Sequence, residues 1–193
     1  MRSIPLLACV VLLATGLTPA QAGSTPVDLN MGAPRGTLTF AIGSSALFRV
    51  TGSFDHWRGT AHVDEDHPER SNVDVTVDAE SVSMGDRQEA ATVRGPDFFD
   101  ASNHPELVFH SDHMIRTGET SWQVDGQMTV RGITRPMTFE VTVQDRNTGA
   151  AQGARYARLE AHGTLQRSLF GMDKYIDLLG DPVKITIDSD VWR

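Results

Sequence analysis

Large apolar residues alternate with small or polar residues along most of the chain. In residues 37–42 and 73–78 every second position is leucine, isoleucine, valine or phenylalanine, with threonine, alanine or aspartate between them. Successive side chains of a β-strand point to opposite faces, so this period of two is typical of a strand with one buried face. Similar alternation predicts further strands over residues 48–54, 107–115, 122–130, 137–143 and 183–191. Residues 59–63 predict a short strand, and residues 155–165 predict a weaker strand whose pattern does not assign an inward face.

These nine segments, of which one is short, follow one another with short polar connections and correspond to roughly eight strands. Consecutive strands of this kind form an antiparallel meander. A single sheet of that size curls, and closing it into a barrel removes both unpaired edges. The pattern therefore predicts an all-β fold with an extended antiparallel eight-stranded β-barrel. Alternation by itself also fits a β-sandwich, because it does not distinguish one closed sheet from two stacked sheets.

One segment has helical spacing, and it precedes an unusual connection. Residues 83–93 predict one short helix, with Ser83 at the N-cap and Asp86 three residues later, as in a weak capping box. The connection that follows contains Phe98 and Phe99 among turn-forming residues. Two large rings in such a position require burial, so we expect this connection to close part of the sheet.

The alternation also assigns side chains to the inside or the outside of the predicted barrel. A shift of one residue would bury charged side chains, so the parity is strongly constrained. Gly52 and Gly126 fall on the inward parity, and we expect their missing side chains to leave room that a larger side chain would fill. The predicted inward set includes Val75, Phe109, Val141 and Ile185, and the outward set includes Asp74, Thr76, His110 and Thr186.

The first 22 residues have the composition of a secretory signal peptide. Arg2 supplies a positive start, residues 4–17 are mostly apolar, and Ala20-Gln-Ala22 is a small-x-small cleavage site. The apolar stretch is shorter than the ~20 residues that a membrane-spanning helix needs. We therefore expect cleavage before Gly23 and export of the mature protein.

Residues 23–36 are rich in glycine, proline, serine and asparagine, and we interpret them as a flexible leader before a single domain over residues 37–193. Cys9 is the one cysteine and lies in the predicted signal peptide, so the mature protein has no disulfide. A lipoprotein signal that ends at Cys9 is the alternative, but it would leave almost no apolar region before the cleavage site.

The charge of the chain argues against several partners. It has 17 basic and 25 acidic residues, a net charge of −8; loss of Arg2 with the signal leaves 16 against 25, or −9. Such a surface argues against nucleic acid and against docking on anionic lipid. Beyond the signal peptide the sequence has no apolar segment of spanning length, so we expect no stable membrane insertion. The oligomeric state stays open, with a homodimer possible.

Neither metal binding nor catalysis has a clear signature. His110 and His113 are three apart, so on a regular strand they would face opposite sides, and the acidic loop between His62 and His67 lacks the spacing of a calcium site. No Gly-x-Ser-x-Gly motif or glycine-rich phosphate loop is present. We therefore predict no metal site, no cofactor and no catalytic residue, while a secreted hydrolase-like enzyme with a site at the barrel mouth stays open.

Four motifs follow one another along the chain: Phe48-Arg-Val-Thr-Gly-Ser-Phe54 with Trp57 and Gly59; Phe98-Phe-Asp-Ala101 with Pro105 to Ser111; Gly126 to Pro136; and Arg167-Ser-Leu-Phe-Gly171. Together they resemble the motifs of YceI-like proteins, a family of periplasmic polyisoprenoid-binding barrels related in architecture to lipocalins. Arg35-Gly36 and Gly43-Ser44 depart from the family pattern, which usually has His-Ser in the first strand and a histidine near Ser44.

This resemblance implies a lipocalin-like barrel whose apolar bore holds a long isoprenoid, such as a polyprenyl lipid or a quinone tail, in a periplasmic binding or carrier protein. Periodicity alone favours a core packed solid with its own side chains, so a ligand-free structural or stress-response module is a further alternative. The predicted ligand-binding positions of the barrel interior are Phe40, Ile42, Phe48, Val50, Phe54, Val75, Val77, Phe98, Phe99, Phe109, Met128, Val130, Phe139, Val141, Leu165, Phe170 and Ile185.

Overall fold

The computed structural model describes residues 26–43 and 49–193. The predicted signal peptide, its cleavage site before Gly23 and the predicted interior residue Phe48 lie outside the described residues. The strands are β1 Val27–Gly32, β2 Gly36–Ile42, β3 Val50–Phe54, β4 Trp57–Val63, β5 Asn72–Asp78, β6 Val82–Met84, β7 Glu106–Arg116, β8 Ser121–Val130, β9 Ile133–Gln144, β10 Arg155–Gln166 and β11 Pro182–Trp192. The helices are α1 Arg87–Arg94 and α2 Ile176–Leu179, and 3-10 turns span Pro68–Arg70, Ala79–Ser81 and Arg167–Phe170.

All of these strands belong to one closed antiparallel sheet. Strands β1 and β2 are two halves of a kinked strand that pairs with β4 and β3, for example Met31 with Gly59 and Leu38 with Phe54. Strands β5 and β6 continue the sheet beside β4 and β3. Strands β7 to β11 follow as a meander, and β11 pairs back with β2 and, at its end, with β1. Three strands of the barrel are each broken into two pieces, β1 with β2, β3 with β4, and β5 with β6. Together with β7 to β11 they form the predicted eight-stranded barrel, and this closed ring excludes the β-sandwich.

The strands have the predicted side-chain parity. The inward positions are buried or half-buried, and the outward positions are exposed or half-exposed. This parity places the apolar core inside the ring and leaves the charged residues of the strands on the outside. The inward positions in question are Val75, Phe109, Val141 and Ile185, and the outward ones are Asp74, Thr76, His110 and Thr186.

The flexible-leader interpretation is wrong for residues 27–32, because this segment is strand β1. Leu29 and Met31 are buried in the core, while Asp28 and Asn30 face outward. The alternation is present in the sequence, but the surrounding glycine, proline and serine residues conceal it. The barrel therefore begins before residue 37.

The predicted helix is present but starts later than expected. The N-cap of α1 is Asp86, whose Oδ1 accepts hydrogen bonds from the backbone N–H groups of Gln88 at 2.7 Å and Glu89 at 3.1 Å. Ser83 instead lies in β6, paired with Ser53 of β3. A carboxylate that accepts from two amides satisfies the first turn better than the predicted capping box, so Asp86 marks the boundary.

A bulge in β7 overturns two expectations. The register with β8 shifts between Ser111 and His113, so His110 and His113 are both exposed on the outside instead of facing opposite sides. Gly126 lies opposite Ser111, where a Cβ atom would lie 2.8 Å from the Cα of Ser111 and 2.7 Å from Cζ of Phe109. The expected space at Gly126 is therefore filled by β7.

The connection after α1 closes one part of the sheet, as expected from its two phenylalanines. Strand β6 pairs with β3 and not with β7. The segment between α1 and β7 is tied beside this gap at both ends, since Nη2 of Arg94 donates to the carbonyl of Val82 and the N–H of Ala79 donates to the carbonyl of Pro105. The ring of Phe99 lies 5.4 Å from that of Phe54 and 6.2 Å from that of Phe40, measured between centroids. Phe98 contacts the ring of Tyr175 at 6.5 Å.

Neither helix in the described part of the chain has the length and apolar character that crossing a membrane as a helix would require.

Candidate functional site

The interior of the barrel contains a cavity of about 500 Å³ with almost entirely apolar walls. Each of the eleven strands contributes at least one side chain to these walls. This volume falls within the ~300–1,000 Å³ that is typical of small-molecule sites. The core is therefore hollow, contrary to the solid packing that periodicity alone favours.

Fifteen of the predicted interior residues line this cavity. Phe48 lies outside the described residues, and Phe170 is not part of the wall. Whether the lining residues bind a ligand stays a prediction. The fifteen are Phe40, Ile42, Val50, Phe54, Val75, Val77, Phe98, Phe99, Phe109, Met128, Val130, Phe139, Val141, Leu165 and Ile185.

Phe170 is a correction to the predicted site. It ends the 3-10 turn Arg167–Phe170 and is only 2% exposed, yet its side chain packs in the surrounding core and not against the cavity. The period of two stops at Gln166, the last residue of β10, so strand parity cannot be extended to Phe170.

The wall also contains small residues that the sequence analysis did not select. Ala157 and Ala161 of β10 are buried and line the cavity together with Leu159. Their alternation with outward residues could have identified them in the sequence as lining residues. A register shift between Arg155 and Ala157, however, disturbs this alternation at the start of the strand. Because these alanines are small, they leave room on this side of the cavity.

Aromatic rings occupy part of the interior next to glycines. Phe40 pairs with Gly52, where a Cβ atom would lie 2.7 Å from Cε1 of the ring, and Phe139 pairs with Gly163 in the same way. Phe139 also meets Phe109 edge to face at 5.0 Å between centroids. The space that Gly52 leaves is therefore filled by a ring, and the expectation of free room there is wrong.

At one end the cavity reaches the surface beside α1. Asp86, Gln88, Glu89 and Thr92 line it there, and all four are exposed. This end coincides with the gap between β6 and β7, which no backbone pairing closes among the described strands. The rim formed by these four residues is polar, exposed to solvent and acidic, because it carries two carboxylates. It surrounds the opening of an apolar cavity.

At the opposite end an ion pair spans the barrel. Nη1 of Arg146 lies 2.6 Å from Oε1 of Glu65, and both side chains line the cavity while being only 27% and 32% exposed. Glu65 belongs to the connection between β4 and β5, and Arg146 to that between β9 and β10. These two connections lie on opposite sides of the eight-stranded ring, so the ion pair between them narrows the opening of the barrel at this end.

Arg167 is a buried cation in the cavity wall. It is 2% exposed; its Nε donates to the carbonyl of Gly180 at 2.9 Å, and its Nη1 donates to those of Met172 and Lys174 at 2.6 and 2.7 Å. Its Nη2 has no hydrogen-bond partner among the described residues. Burial lowers the pKa of the guanidinium, and the nearby carboxylate of Asp181 opposes this effect.

Other polar contacts lie on the outer surface. Nδ1 of His110 lies 2.6 Å from Oδ1 of Asp74, and this hydrogen bond raises the pKa of His110. A hydrogen bond from Thr138 lowers the pKa of Asp125. Among the described residues there is no cluster of three or more histidine, cysteine, aspartate or glutamate side chains with the geometry of a metal site.

Comparison with known proteins agrees with this architecture. A UPF0312 protein of Pseudomonas savastanoi pv. phaseolicola is 25% identical over 96% of this chain and 93% of its own length. The crystal structure of Burkholderia cenocepacia BcnA superposes with a TM-score of 0.70 at 23% identity, covering 82% of this chain and 96% of that one. A polyisoprenoid binding domain from Saccharophagus degradans superposes with a TM-score of 0.59 at 10% identity, covering 84% and 97%.

The two superpositions show that the fold is shared, and the family is shown by the sequence. The model of the YceI-like domain matches residues 31–191, which covers the barrel from the end of β1 to the end of β11. The chain therefore belongs to the YceI-like domain family.

Proposed function

We propose that this protein is a periplasmic binding or carrier protein that holds one long isoprenoid lipid, such as a polyprenyl lipid or a quinone tail, inside its barrel. The observation that carries the proposal is the apolar cavity of about 500 Å³ that runs through the core. Family membership and the likeness to a polyisoprenoid binding domain support the choice of ligand class. The periplasmic location rests on the predicted signal peptide.

The dimensions of the barrel suit an extended chain. Strands β9 and β10 have 12 residues each. At ~3.4 Å per residue such a strand is about 40 Å long, and a tilt of ~40° leaves a bore of about 30 Å along the barrel axis. A linear isoprenoid can lie along such a bore with its methyl branches against the inward side chains.

The energetics favour carriage over permanent storage. Transfer of an isoprenoid from water is worth ~0.8 kcal/mol for each methylene-sized group that is buried. The lipid, however, comes from a bilayer whose interior is as apolar as the cavity. The net preference for the protein is therefore small, which suits a carrier that takes up a lipid and releases it again.

The charged residues of the cavity do not converge as those of an active site would. Asp86 and Glu89 are exposed on the rim at the α1 end, and Arg167, which follows β10 at the same end, is buried. Glu65 and Arg146 pair with each other at the opposite end. Arg167 has three of its hydrogen-bond donors committed to backbone carbonyls. This distribution supports a binding role rather than the hydrolase-like alternative.

Extraction of lipid from vesicles tests the proposal. Phosphatidylcholine vesicles that contain tetraprenyl benzoquinone are mixed with the mature protein and removed by centrifugation. We expect the prenyl lipid to stay in the supernatant with the protein and to saturate at one molecule per chain. A supernatant that contains no more prenyl lipid than a protein-free blank would rule the proposal out.

A further inference from the structure

The guanidinium of Arg167 has hydrogen-bonding capacity that the described residues do not use. A guanidinium carries five N–H bonds: one on Nε and two on each Nη. The carbonyls of Gly180, Met172 and Lys174 accept from Nε and Nη1, so these nitrogens hold the segment between β10 and β11 in place. Both N–H bonds of Nη2 are left without an acceptor among the described residues.

A donor in this position would be energetically unfavourable without an acceptor. A buried donor without an acceptor loses its hydration and gains nothing in return, and the loss is larger for a charged group. Asp181 does not supply this acceptor, because its carboxylate accepts hydrogen bonds from the backbone N–H and the hydroxyl of Ser168. No ion pair joins Arg167 to a carboxylate in the described part of the chain, so an acceptor from outside the chain fits this position.

The strand register fixes where Arg167 lies along the barrel. Arg167 directly follows β10, whose last residue pairs with the first residue of β11. The next residue of β11, Val183, pairs with Ile42 at the end of β2, and β2 leads through β3 to β6 and α1. Arg167 therefore lies at the α1 end, where the cavity reaches the surface, and away from the Glu65–Arg146 ion pair.

We propose that Nη2 of Arg167 donates a hydrogen bond to an oxygen atom of the bound lipid. The oxygen-bearing end of the lipid then lies at the α1 end of the cavity, and its isoprenoid tail runs towards the Glu65–Arg146 ion pair. This inference rests on the proposed function, since it assigns one end of the lipid held by the same cavity.

The geometry also restricts the chemistry of that oxygen. An arginine grips a carboxylate or a phosphate with two parallel N–H bonds from neighbouring nitrogens, but here Nε and Nη1 are already occupied. Nη2 alone suits a single acceptor, such as a carbonyl or hydroxyl oxygen. The exposed carboxylates of Asp86 and Glu89 at the same end repel an anionic head group. The site therefore takes a neutral oxygenated isoprenoid.

The guanidinium resonances of the unmodified protein give the direct test. Mature protein with ¹⁵N-labelled arginine is titrated with tetraprenyl benzoquinone, geranylgeraniol, geranylgeranyl diphosphate and the hydrocarbon squalene, each delivered from cyclodextrin. The Nε and Nη1 signals of Arg167 are assigned through nuclear Overhauser effects to Gly180 and to Met172 and Lys174, and the remaining signals of the same guanidinium are those of Nη2. We expect the quinone or the alcohol to move the Nη2 protons downfield and to slow their exchange, and squalene to bind without this change.

An amino-acid substitution provides a second, independent measurement. Arg167→Lys keeps the positive charge but removes Nη2 together with the Nε and Nη1 donors that hold the segment between β10 and β11. Thermal unfolding therefore checks first that the variant is folded, and we expect its affinity for the oxygenated probe to fall about tenfold more than its affinity for squalene. Arg131→Lys is the matched control, because Arg131 donates to the carbonyl of Gly171 in the same region but does not line the cavity.

The outcomes separate this inference from the proposed function. If none of the four probes binds, the proposed function itself fails. If squalene and the oxygenated probes bind equally and leave Nη2 unchanged, Nη2 holds a resident water and the inference is wrong. Tighter binding of the diphosphate than of the alcohol would overturn the assignment to a neutral oxygen.

Discussion

Replacing Ala161 with phenylalanine is expected to weaken lipid binding by at least about tenfold and to leave the barrel folded. Ala161 is buried in β10, lines the cavity, and lies between Val141 of β9 and Ile187 of β11. The added ring would displace roughly three methylene-sized groups of the ligand, each worth ~0.8 kcal/mol. Isothermal titration with geranylgeraniol measures the loss of affinity, and thermal unfolding measures the fold.

His162→Phe is the matched control, because His162 is the next residue of β10 and is exposed on the outside of the barrel. We expect it to bind lipid as the parent protein does. If instead Ala161→Phe loses about 1–3 kcal/mol of stability and keeps its affinity, the interior is packed solid and the added ring has nowhere to go. That pair of results would contradict the account of a hollow core.

Replacing Gly126 with alanine is expected to destabilise the barrel by about 1–3 kcal/mol. The new methyl group would collide with the backbone of the β7 bulge, at 2.8 Å from the Cα of Ser111 and in contact with the carbonyl oxygen of His110. Backbone atoms in a paired strand cannot move aside as the end of a flexible side chain can. Urea unfolding with a linear extrapolation measures the difference in free energy.

Gly85→Ala is the control for the general effect of a glycine substitution, because a Cβ at Gly85 would meet no atom within 4 Å. We expect this change to alter the free energy of unfolding by less than about 0.5 kcal/mol. Equal stability of the Gly126 and Gly85 variants would show that the bulge does not approach Gly126 as closely as described.

The closed barrel and its inward residues were predictable because they depend on a local property of the chain. A strand places successive side chains on opposite faces whatever its partners are. The alternation around Val75 and Phe109 therefore identified the faces that line the cavity without any knowledge of the tertiary structure. Closure followed from the number of strands and from the cost of leaving edges unpaired.

The errors arise where a partner distant in sequence decides the local structure. The bulge between Ser111 and His113 adds a residue that only the pairing with β8 reveals, and it changes both the orientation of His113 and the surroundings of Gly126. Likewise, residues 27–32 form a strand that pairs with β4, although the residues around them are typical of a loop and conceal their alternation.

Arg167 illustrates the same limit within the candidate site. The sequence placed it in a family motif but gave it no role, because a single arginine after a strand is usually a surface residue. Its hydrogen-bond acceptors are the backbone carbonyls of residues 172, 174 and 180. The positions of these carbonyls depend on the conformation of a loop, which has no periodic pattern in the sequence. That Nη2 has no acceptor among the described residues can be recognised only when these three hydrogen bonds are known.

The central claim, that the barrel holds one isoprenoid lipid, is tested most directly by native mass spectrometry of protein freshly purified from the periplasmic fraction. The account predicts a polypeptide that begins at Gly23 and carries one noncovalent adduct, which organic extraction identifies as a single isoprenoid. An Ala161→Phe sample prepared in parallel should lack the adduct. A parent protein that has no adduct, and gains none after incubation with prenyl lipid in vesicles, would contradict the account.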